Sequence, residues 1–421
     1  MTLMKLISSR RGRPASAGVV GAIAALLFVG TMSTLGAQEP GSIVSTEELG
    51  RWSITEIEEA GPRLFESYGT PEARYPVDEY VVYYNTSDFD GTAVEAKALL
   101  FVPVLSESAE RPVLVFGSGT TGISDRCAPS LEDAETGRWG YYRTNMASYA
   151  AQGIITIFPD YIGFNDPRRP QRYFSKAAEA HLMLDGARAV RRFFADHEFA
   201  AAPAPDVFTA GYSQGGHAAL AAADLREEYA PDVELRGAIG FAATNDVITL
   251  MQEAAYYSPY IIYSYRAMYG SEEIDPAAYL QERWVETLVQ DMATKCVKEM
   301  EQYYPFDGRE LFTGDFYEAL HGGALEEEYP SFYRRLAENE SGLDGHDVPV
   351  LMVQGGNDII ITTPAIRAYI SELCDTGVPV HYRLYEDARH RHTRPAGFQA
   401  SVDWMNEILA GETPPNACGD F

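Results

Sequence analysis

The chain has 421 residues, with 33 lysines and arginines against 61 aspartates and glutamates, so that its formal net charge is −28. A charge of this sign disfavours binding to nucleic acid, because contacts with phosphate require basic surfaces. With 46% hydrophobic residues, the chain is also too apolar to be disordered. These values indicate an acidic globular protein of one large domain with an insertion, or of two to three domains.

The amino terminus has the pattern of a secretory signal. The first 37 residues contain four basic residues and no acid, and an apolar core over Val19–Val29 is followed by small residues. This order predicts a signal peptide over residues 1–37, with cleavage after Ala37 and a secreted or periplasmic mature protein. An uncleaved anchor is the alternative, because the uncharged run is long enough to span a bilayer. Cleavage would leave 29 basic residues against 61 acidic ones, a net charge of −32.

Short apolar runs then alternate with helical patterns along the chain. Helices are predicted at Ala178–Phe194 and Pro395–Leu409, among others. The predicted strands are Val81–Tyr84 and Ala93–Val102, as an antiparallel pair, followed by Val113–Phe116, Ile154–Phe158, Val207–Ala210, Leu235–Phe241, Val348–Val353 and Val380–Leu384. Short strands separated by helices predict an α/β fold, in which helices cover both faces of a mostly parallel sheet.

The segment Asp246–Gly345 breaks this alternation, because it has helical and aromatic sequence but no convincing strand. Six tyrosines fall close together in it: Tyr256, Tyr257, Tyr260, Tyr263, Tyr265 and Tyr269. A helical insertion at this point predicts a cap over the carboxyl edge of the sheet, where open α/β sheets bind ligands. The predicted organisation is thus a core in two parts, 38–245 and 346–421, with a helical cap over 246–345. Most of these tyrosines should pack helices together, and a few should line a pocket.

The strongest local motif surrounds Ser213. Residues 211–215 read Gly-Tyr-Ser-Gln-Gly, directly after the predicted strand Val207–Ala210 and before an alanine-rich helical stretch, His217–Leu225. This is the G-x-S-x-G pattern in the strand–turn–helix context of a nucleophile elbow, in which a strained turn exposes the serine hydroxyl. The sequence therefore predicts Ser213 as a catalytic nucleophile.

A serine nucleophile needs a base, and the base needs an acid that orients it. In this fold the chain order is serine, acid, histidine. Asp358 follows the predicted strand Val348–Val353, and His390 follows the strand Val380–Leu384, so both lie at carboxyl ends of strands. We predict Asp358 as the orienting acid and His390 as the base, with His392 as the alternative base.

The reaction also needs an oxyanion hole. The N–H of Gln214, the residue after the nucleophile, is the first predicted donor. The second is expected in the glycine-rich run 117–122 after the strand Val113–Phe116, and we nominate Thr120. A phosphate-binding loop is the competing interpretation of this run, but the run has no lysine of a P-loop.

Four cysteines lie in the exported part of the chain: Cys127, Cys296, Cys374 and Cys418. An oxidising compartment favours two disulfides, with three possible pairings. Cysteine spacing excludes CxxC pairs, and the eight histidines do not group as ligands. We therefore predict no metal and no cofactor.

A combination of motifs resembles the secretory lipase family, the α/β-hydrolases of the fungal lipase A type and their bacterial relatives. The resemblance extends over Ile54–Leu409, and its motifs are Gly119-Thr120-Thr121-Gly122, Cys127-Ala128-Pro129-Ser130, Asp160-Tyr161-Ile162-Gly163, Leu184-Asp185-Gly186-Ala187-Arg188-Ala189, Gly211–Leu220 and Tyr229-Ala230-Pro231. It implies the α/β-hydrolase fold and a triad of Ser213, Asp358 and His390. It further implies a helical cap that forms an acyl tunnel, and the disulfides Cys127–Cys296 and Cys374–Cys418.

The chain departs from the family pattern before Thr120. Many bacterial relatives have His-Gly at this position, where this chain has Ser118-Gly119. This difference leaves the second oxyanion donor open between the Thr120 N–H and a neighbouring hydroxyl.

The expected function is that of a secreted serine hydrolase that cleaves carboxylic esters, as a lipase or an esterase. Its expected partner is a small-molecule or lipid ester, with no nucleic acid and no stable membrane insertion of the mature chain. An exopeptidase or amidase on the same fold is the nearer alternative, and a catalytically silent binding protein is the other.

Overall fold

The structure is a computed structural model, and it describes residues 39–133 and 138–421. The predicted signal peptide and its cleavage site after Ala37 lie outside the described residues. Among the described helices, none combines the length and the apolar composition needed to cross a membrane.

A nine-stranded sheet forms the centre of the described part of the chain, in the order β1-β2-β3-β5-β4-β7-β8-β9-β10. The first four strands in this order pair antiparallel, and the pairs from β5 to β10 are parallel. The strands are β1 (Ile43–Trp52), β2 (Val77–Ser87), β3 (Ala93–Pro103), β4 (Ala109–Gly117), β5 (Ile155–Pro159), β6 (Ile162–Asn165, outside the sheet), β7 (Ala201–Tyr212), β8 (Glu234–Phe241), β9 (Val350–Gly355) and β10 (Val380–Tyr385).

Helices connect these strands. They are α1 (Ile54–Phe65), α2 (Tyr142–Ala151), α3 (Lys176–Ala195), α4 (Gln214–Tyr229), α5 (Val247–Glu253), α6 (Ser258–Tyr269), α7 (Pro276–Tyr279), α8 (Glu282–Thr294), α9 (Val297–Tyr303), α10 (Gly308–Leu311), α11 (Gly314–Gly322), α12 (Leu325–Glu328), α13 (Pro330–Glu338), α14 (Thr363–Asp375) and α15 (Thr393–Leu409). The nine helices α5 to α13 all lie between β8 and β9 of the described chain.

The core strands form because their side chains are apolar on both faces. All residues of β5 and β9 are buried, as expected for parallel strands covered by helices on both sides. Helix α4 packs closely on the sheet because its alanines offer little bulk, and Ala218–Ala223 are fully buried. The predicted fold class, an α/β fold with a mostly parallel sheet, is confirmed.

The sequence did not predict strand β1. Most of its side chains are exposed, so the strand has no continuous apolar run. Its position is set by pairing with β2, supported by an Arg51–Asp78 ion pair of 2.6 Å and a 2.8 Å hydrogen bond from the Trp52 indole N–H to Glu79. Interactions of this kind depend on a distant segment and leave no local pattern.

The disulfides pair Cys127 with Cys296 and Cys374 with Cys418, as the family resemblance implied. The first joins the loop after β4 to the start of α9 across 169 residues. Beside it, the Val297 N–H donates to the Thr121 carbonyl at 2.9 Å. The glycine-rich loop and α9 are therefore held together by a covalent link and a backbone hydrogen bond.

Glu340, two residues after α13, is close enough to Asp246 and Glu372 to feel the charges of both carboxylates. Burial raises the pKa of Glu340 to about 7, and the charges of Asp246 and Glu372 act in the same direction. The folded state thus binds the Glu340 proton more tightly than the unfolded state does. Stability from this group is present at low pH and is lost as the pH rises from about 4.5 to about 7.

We expect Glu340→Gln to raise the free energy of unfolding at pH 8 by roughly 1–2 kcal/mol, after allowance for partial exposure of the side chain. At pH 4.5 the same substitution should change it little, because the wild-type carboxyl is then protonated in the fold. Urea unfolding at both pH values measures the difference. Glu327→Gln, at an exposed acid of α12, is the control, and an equal gain in this variant would contradict the explanation.

Candidate active site

Ser213 occupies the sharp turn between β7 and α4. Its backbone has φ 53° and ψ −114°, a strained conformation for a residue with a side chain. The turn is held because the Ser213 N–H donates to the Phe241 carbonyl at 2.9 Å. A Cβ at Gly211 would collide with the Gly215 carbonyl, and one at Gly215 would collide with the Gly117 carbonyl. Both glycines of the motif are therefore required by close backbone packing.

Two loops at the carboxyl edge of the sheet bring Asp358 and His390 together. The loop after β9 and the loop after β10 are joined by hydrogen bonds from Gly356 N–H to the Tyr385 carbonyl and from Asn357 N–H to the Ala388 carbonyl, each 2.9 Å. Because β9 and β10 are parallel neighbours, both loops leave the sheet at the same edge.

The side chains of Ser213, His390 and Asp358 form one chain of hydrogen bonds. His390 Nε2 lies 3.1 Å from Ser213 Oγ, and His390 Nδ1 lies 2.7 Å from Asp358 Oδ2. Asp358 Oδ1 accepts the N–H groups of Ile360 and Ile361 at 2.9 and 3.1 Å. The Asp358 side chain is fully buried, and that of His390 is 11% exposed. This geometry suits a nucleophile, a base and an orienting acid.

His392, the alternative base, points elsewhere. Its Nε2 lies 3.8 Å from a Glu66 carboxylate oxygen and accepts the Arg391 Nε–H at 3.1 Å. Burial lowers the pKa of His392. In the described part of the chain, His390 is the histidine in contact with Ser213.

The two nominated oxyanion residues both lie near the serine. Gln214 is the first residue of α4, and Thr120 lines the same cavity as Ser213. The Thr120 hydroxyl is hydrogen-bonded to the Tyr173 hydroxyl at 2.7 Å, while the Gly119 N–H donates to the Tyr142 hydroxyl at 2.7 Å. Within residues 39–133 and 138–421, the backbone N–H groups of Thr120 and Gln214 have no acceptor.

Ser213 and His390 open into a cavity of about 450 Å³. Its wall includes Tyr257 and Glu301 from the α5–α13 segment, and the Tyr257 hydroxyl donates to Glu301 at 3.1 Å. Burial raises the pKa of Glu301. Sequence analysis missed Glu301 because no motif surrounds it.

Two other tyrosines of this segment, Tyr260 and Tyr265, are packed in the protein interior. The hydroxyls of Tyr260 and Tyr265 are buried and donate to the carbonyls of Lys295 and Phe174, each at 3.0 Å. These two residues hold helices together, whereas Tyr257 reaches the cavity.

A cluster of buried polar side chains is hydrogen-bonded to the first turn of α4. Glu179 of α3 accepts the side-chain N–H of Gln214 at 2.7 Å, and its other oxygen lies 2.6 Å from His217 Nδ1. His217 Nε2 lies 2.6 Å from the Asn339 carbonyl, just after α13. Glu179 and His217 thereby connect the residue after Ser213 to the end of α13.

We expect Glu179→Ala to lower the free energy of unfolding by about 3 kcal/mol, because it leaves the Gln214 side-chain N–H and His217 Nδ1 buried without partners. Glu179→Gln is the matched variant, because its amide offers an oxygen to Gln214 and an N–H to His217. It should lose less than half as much. Thermal and urea unfolding of both variants measure these free energies. Equal losses in the two variants would show that the hydrogen bonds of Glu179 do not contribute to stability.

The mostly parallel sheet, with Ser213 at the turn after a central strand and Asp358 and His390 in loops at the same edge, defines an α/β-hydrolase. Among solved structures, Candida antarctica lipase A in its closed state matches with a TM-score of 0.69 and 19% identity, over 92% of this chain and 86% of that chain. At this identity the match shows a shared fold.

The chain belongs to the secretory lipase family, whose model matches residues 129–417. A secreted triacylglycerol lipase of Malassezia globosa is 23% identical over 80% of this chain and 74% of its own length. A protein of Mycobacterium tuberculosis named as a probable inactive lipase is 23% identical over 80% of this chain and 75% of its own length. The chain is thus a secreted hydrolase of carboxylic esters.

Proposed function

We propose that Ser213, His390 and Asp358 hydrolyse esters through an acyl-enzyme. Ser213 Oγ attacks the ester carbonyl carbon as its proton moves to His390 Nε2. The bond to the alcohol oxygen then breaks, and His390 returns the proton to the leaving alcohol. Water attacks the acyl-enzyme, gives a proton to His390, and releases the carboxylic acid as Ser213 Oγ regains its proton. Asp358 holds the tautomer in which Nε2 is free to accept.

The backbone N–H groups of Gln214 and Thr120 are the proposed donors to the tetrahedral oxyanion. Their free hydrogens support this role, and Gly119 is unavailable because Tyr142 already accepts its N–H. The helix amino terminus at Gln214 adds a favourable dipole for negative charge.

We assign residues 246–345 as a cap over this site, between core parts 38–245 and 346–421. Tyr257 and Glu301 support the assignment, since both reach the cavity of Ser213 from that segment. We further propose that residues 1–37 act as a signal peptide cleaved after Ala37. The substrates are small-molecule or lipid esters, and the relative named a triacylglycerol lipase makes acylglycerols one candidate.

The observation that carries this proposal is the unbroken hydrogen-bond chain from Ser213 through His390 to Asp358. We expect Ser213→Ala to reduce kcat for p-nitrophenyl butyrate on the order of 10⁴-fold or more. A fluorophosphonate probe should label the wild type at Ser213 and leave this variant unlabelled.

Ser45→Ala, at an exposed serine of β1, is the control and should retain both hydrolysis and labelling. Because one relative is named as an inactive lipase, activity of the wild type is itself informative. A wild type without hydrolysis or labelling, or a Ser213→Ala variant with both, would refute the proposed mechanism.

A further inference from the structure

The cavity beside Ser213 has the opposite charge balance to the rest of the protein. Among residues 39–133 and 138–421, its lining includes five arginine and lysine side chains and two carboxylates, Glu66 and Glu301. The whole chain has 33 basic and 61 acidic residues. The cavity is therefore cationic, although the protein as a whole is acidic.

The two carboxylates of the cavity are fewer than its five basic side chains. Glu301 accepts the Tyr257 hydroxyl, and its burial favours the neutral carboxyl by raising its pKa. Glu66 is more than half exposed at its side chain and lies 3.8 Å from His392.

Arg394 is the buried cation of the cavity. It is 3% exposed, and its guanidinium donates to two neutral acceptors, the Gly140 carbonyl at 2.8 Å and the Asn145 side chain at 3.2 Å. Its Nε–H is buried and has no partner within the described residues. The rings of Tyr142 and Tyr212 lie 4.2 and 5.1 Å from the guanidinium carbon.

No carboxylate of the described chain forms an ion pair with Arg394. The charge of Arg394 acts on the buried Glu132 carboxylate, but the two side chains form no ion pair. The Glu132 carboxylate accepts the backbone N–H groups of Trp139 and Arg143. A buried charge without an ion-pair partner is costly. An anion that enters the cavity would therefore be stabilised there.

Three further cations, Arg138, Lys298 and Arg391, are exposed at the edge of the cavity. Over residues 39–133 and 138–421, none of them lies within 4.0 Å of a carboxylate oxygen, although the Lys298 charge acts on Glu301. Arg138 lies over the Trp139 ring at 5.2 Å, and Arg391 donates to His392. They come from three separate segments of the chain, which the fold brings to one cavity.

We propose that this active site selects esters that carry a negative charge, such as a carboxylate, in the acyl part or in the alcohol part. The proposal rests on Ser213 acting as the nucleophile. Arg394 supplies a buried positive charge in the wall of the cavity that contains Ser213, and the three edge cations attract an anion as it enters. The acidic surface repels anions at long range, but salt screens that repulsion beyond about 8–10 Å, whereas contacts inside the cavity persist.

Two matched ester pairs test the proposal and separate the two positions of the charge. For the acyl part, mono-p-nitrophenyl adipate is compared with p-nitrophenyl hexanoate. For the alcohol part, 4-acetoxybenzoate is compared with methyl 4-acetoxybenzoate, each rate being divided by the spontaneous rate. We expect kcat/KM to favour the anionic ester by about tenfold in at least one pair.

Arg394 variants could fail to fold, so the exposed cations carry the mutational test. The double variant Lys298→Gln/Arg391→Gln should lower the preferred pair's anionic-to-neutral ratio by about three- to tenfold. Arg74→Gln removes one positive charge from an exposed arginine outside the cavity and should leave the ratio unchanged. A ratio at or below one in both pairs, with the neutral esters hydrolysed, would overturn the proposal.

Binding to the Ser213→Ala protein separates this inference from the proposed mechanism. Calorimetric titration with the same pairs should show tighter binding of the anionic ester in the preferred pair. If the wild type hydrolyses no ester but this preference in binding remains, the mechanism fails and the charge selection stands. If neither pair shows the preference in binding, the charge selection is wrong.

Discussion

Replacing Asp358 with asparagine is expected to lower kcat for ester hydrolysis by about 10³–10⁴-fold while leaving the fold intact. In the proposed mechanism, the Asp358 carboxylate, 2.7 Å from His390 Nδ1, accepts a hydrogen bond from the Nδ1 proton and so keeps Nε2 free to accept the Ser213 proton. An amide can turn its N–H towards Nδ1 and stabilise the opposite tautomer, in which Nε2 already carries a proton.

Asparagine keeps an oxygen for the N–H groups of Ile360 and Ile361, so the loop should hold its shape. The measurement is kcat and KM for p-nitrophenyl butyrate, together with the thermal midpoint. Asp387→Asn, at an exposed acid of the His390 loop, is the matched control. An Asp358→Asn enzyme within tenfold of the wild type would show that Asp358 does not orient the base.

Replacing Gly215 with alanine should both destabilise the protein and impair catalysis. A Cβ at Gly215 would collide with the Gly117 carbonyl and lie 2.9 Å from the Ser118 carbonyl oxygen. Both contacts are with backbone, so the elbow or the glycine-rich loop must shift. We expect a loss of about 2–4 kcal/mol in the free energy of unfolding.

The same shift should lower kcat by about 10²-fold, because it displaces Ser213 relative to the Thr120 loop. Gly322→Ala is the control, since a Cβ at this exposed end of α11 meets no atom within 4 Å. Alanine there should leave stability unchanged or raise it slightly. The free energy of unfolding and kcat are measured for both variants. A fully active, stable Gly215→Ala protein would show that the elbow tolerates a side chain.

Much of the fold was predictable because its causes are local. Apolar runs such as Val113–Phe116 and Val207–Ala210 lie inside observed strands. Helix α2 was missed because nine of its ten residues are buried, which removes the one-sided pattern of a surface helix. Strand β1 was missed for the opposite reason, since most of its side chains face solvent.

By itself, the sequence determined the parallel core and the position of Ser213, because apolar periodicity and the steric needs of a tight turn act between near neighbours. Only the tertiary structure decided which of His390 and His392 faces Ser213, since the two residues share nearly the same local sequence. It also decided the charge of the cavity, by bringing Glu301 and Arg394 to one place. Both the contact with Ser213 and the residues that line the cavity depend on which distant segments lie together. Backbone hydrogen bonds and disulfides between those segments determine their positions.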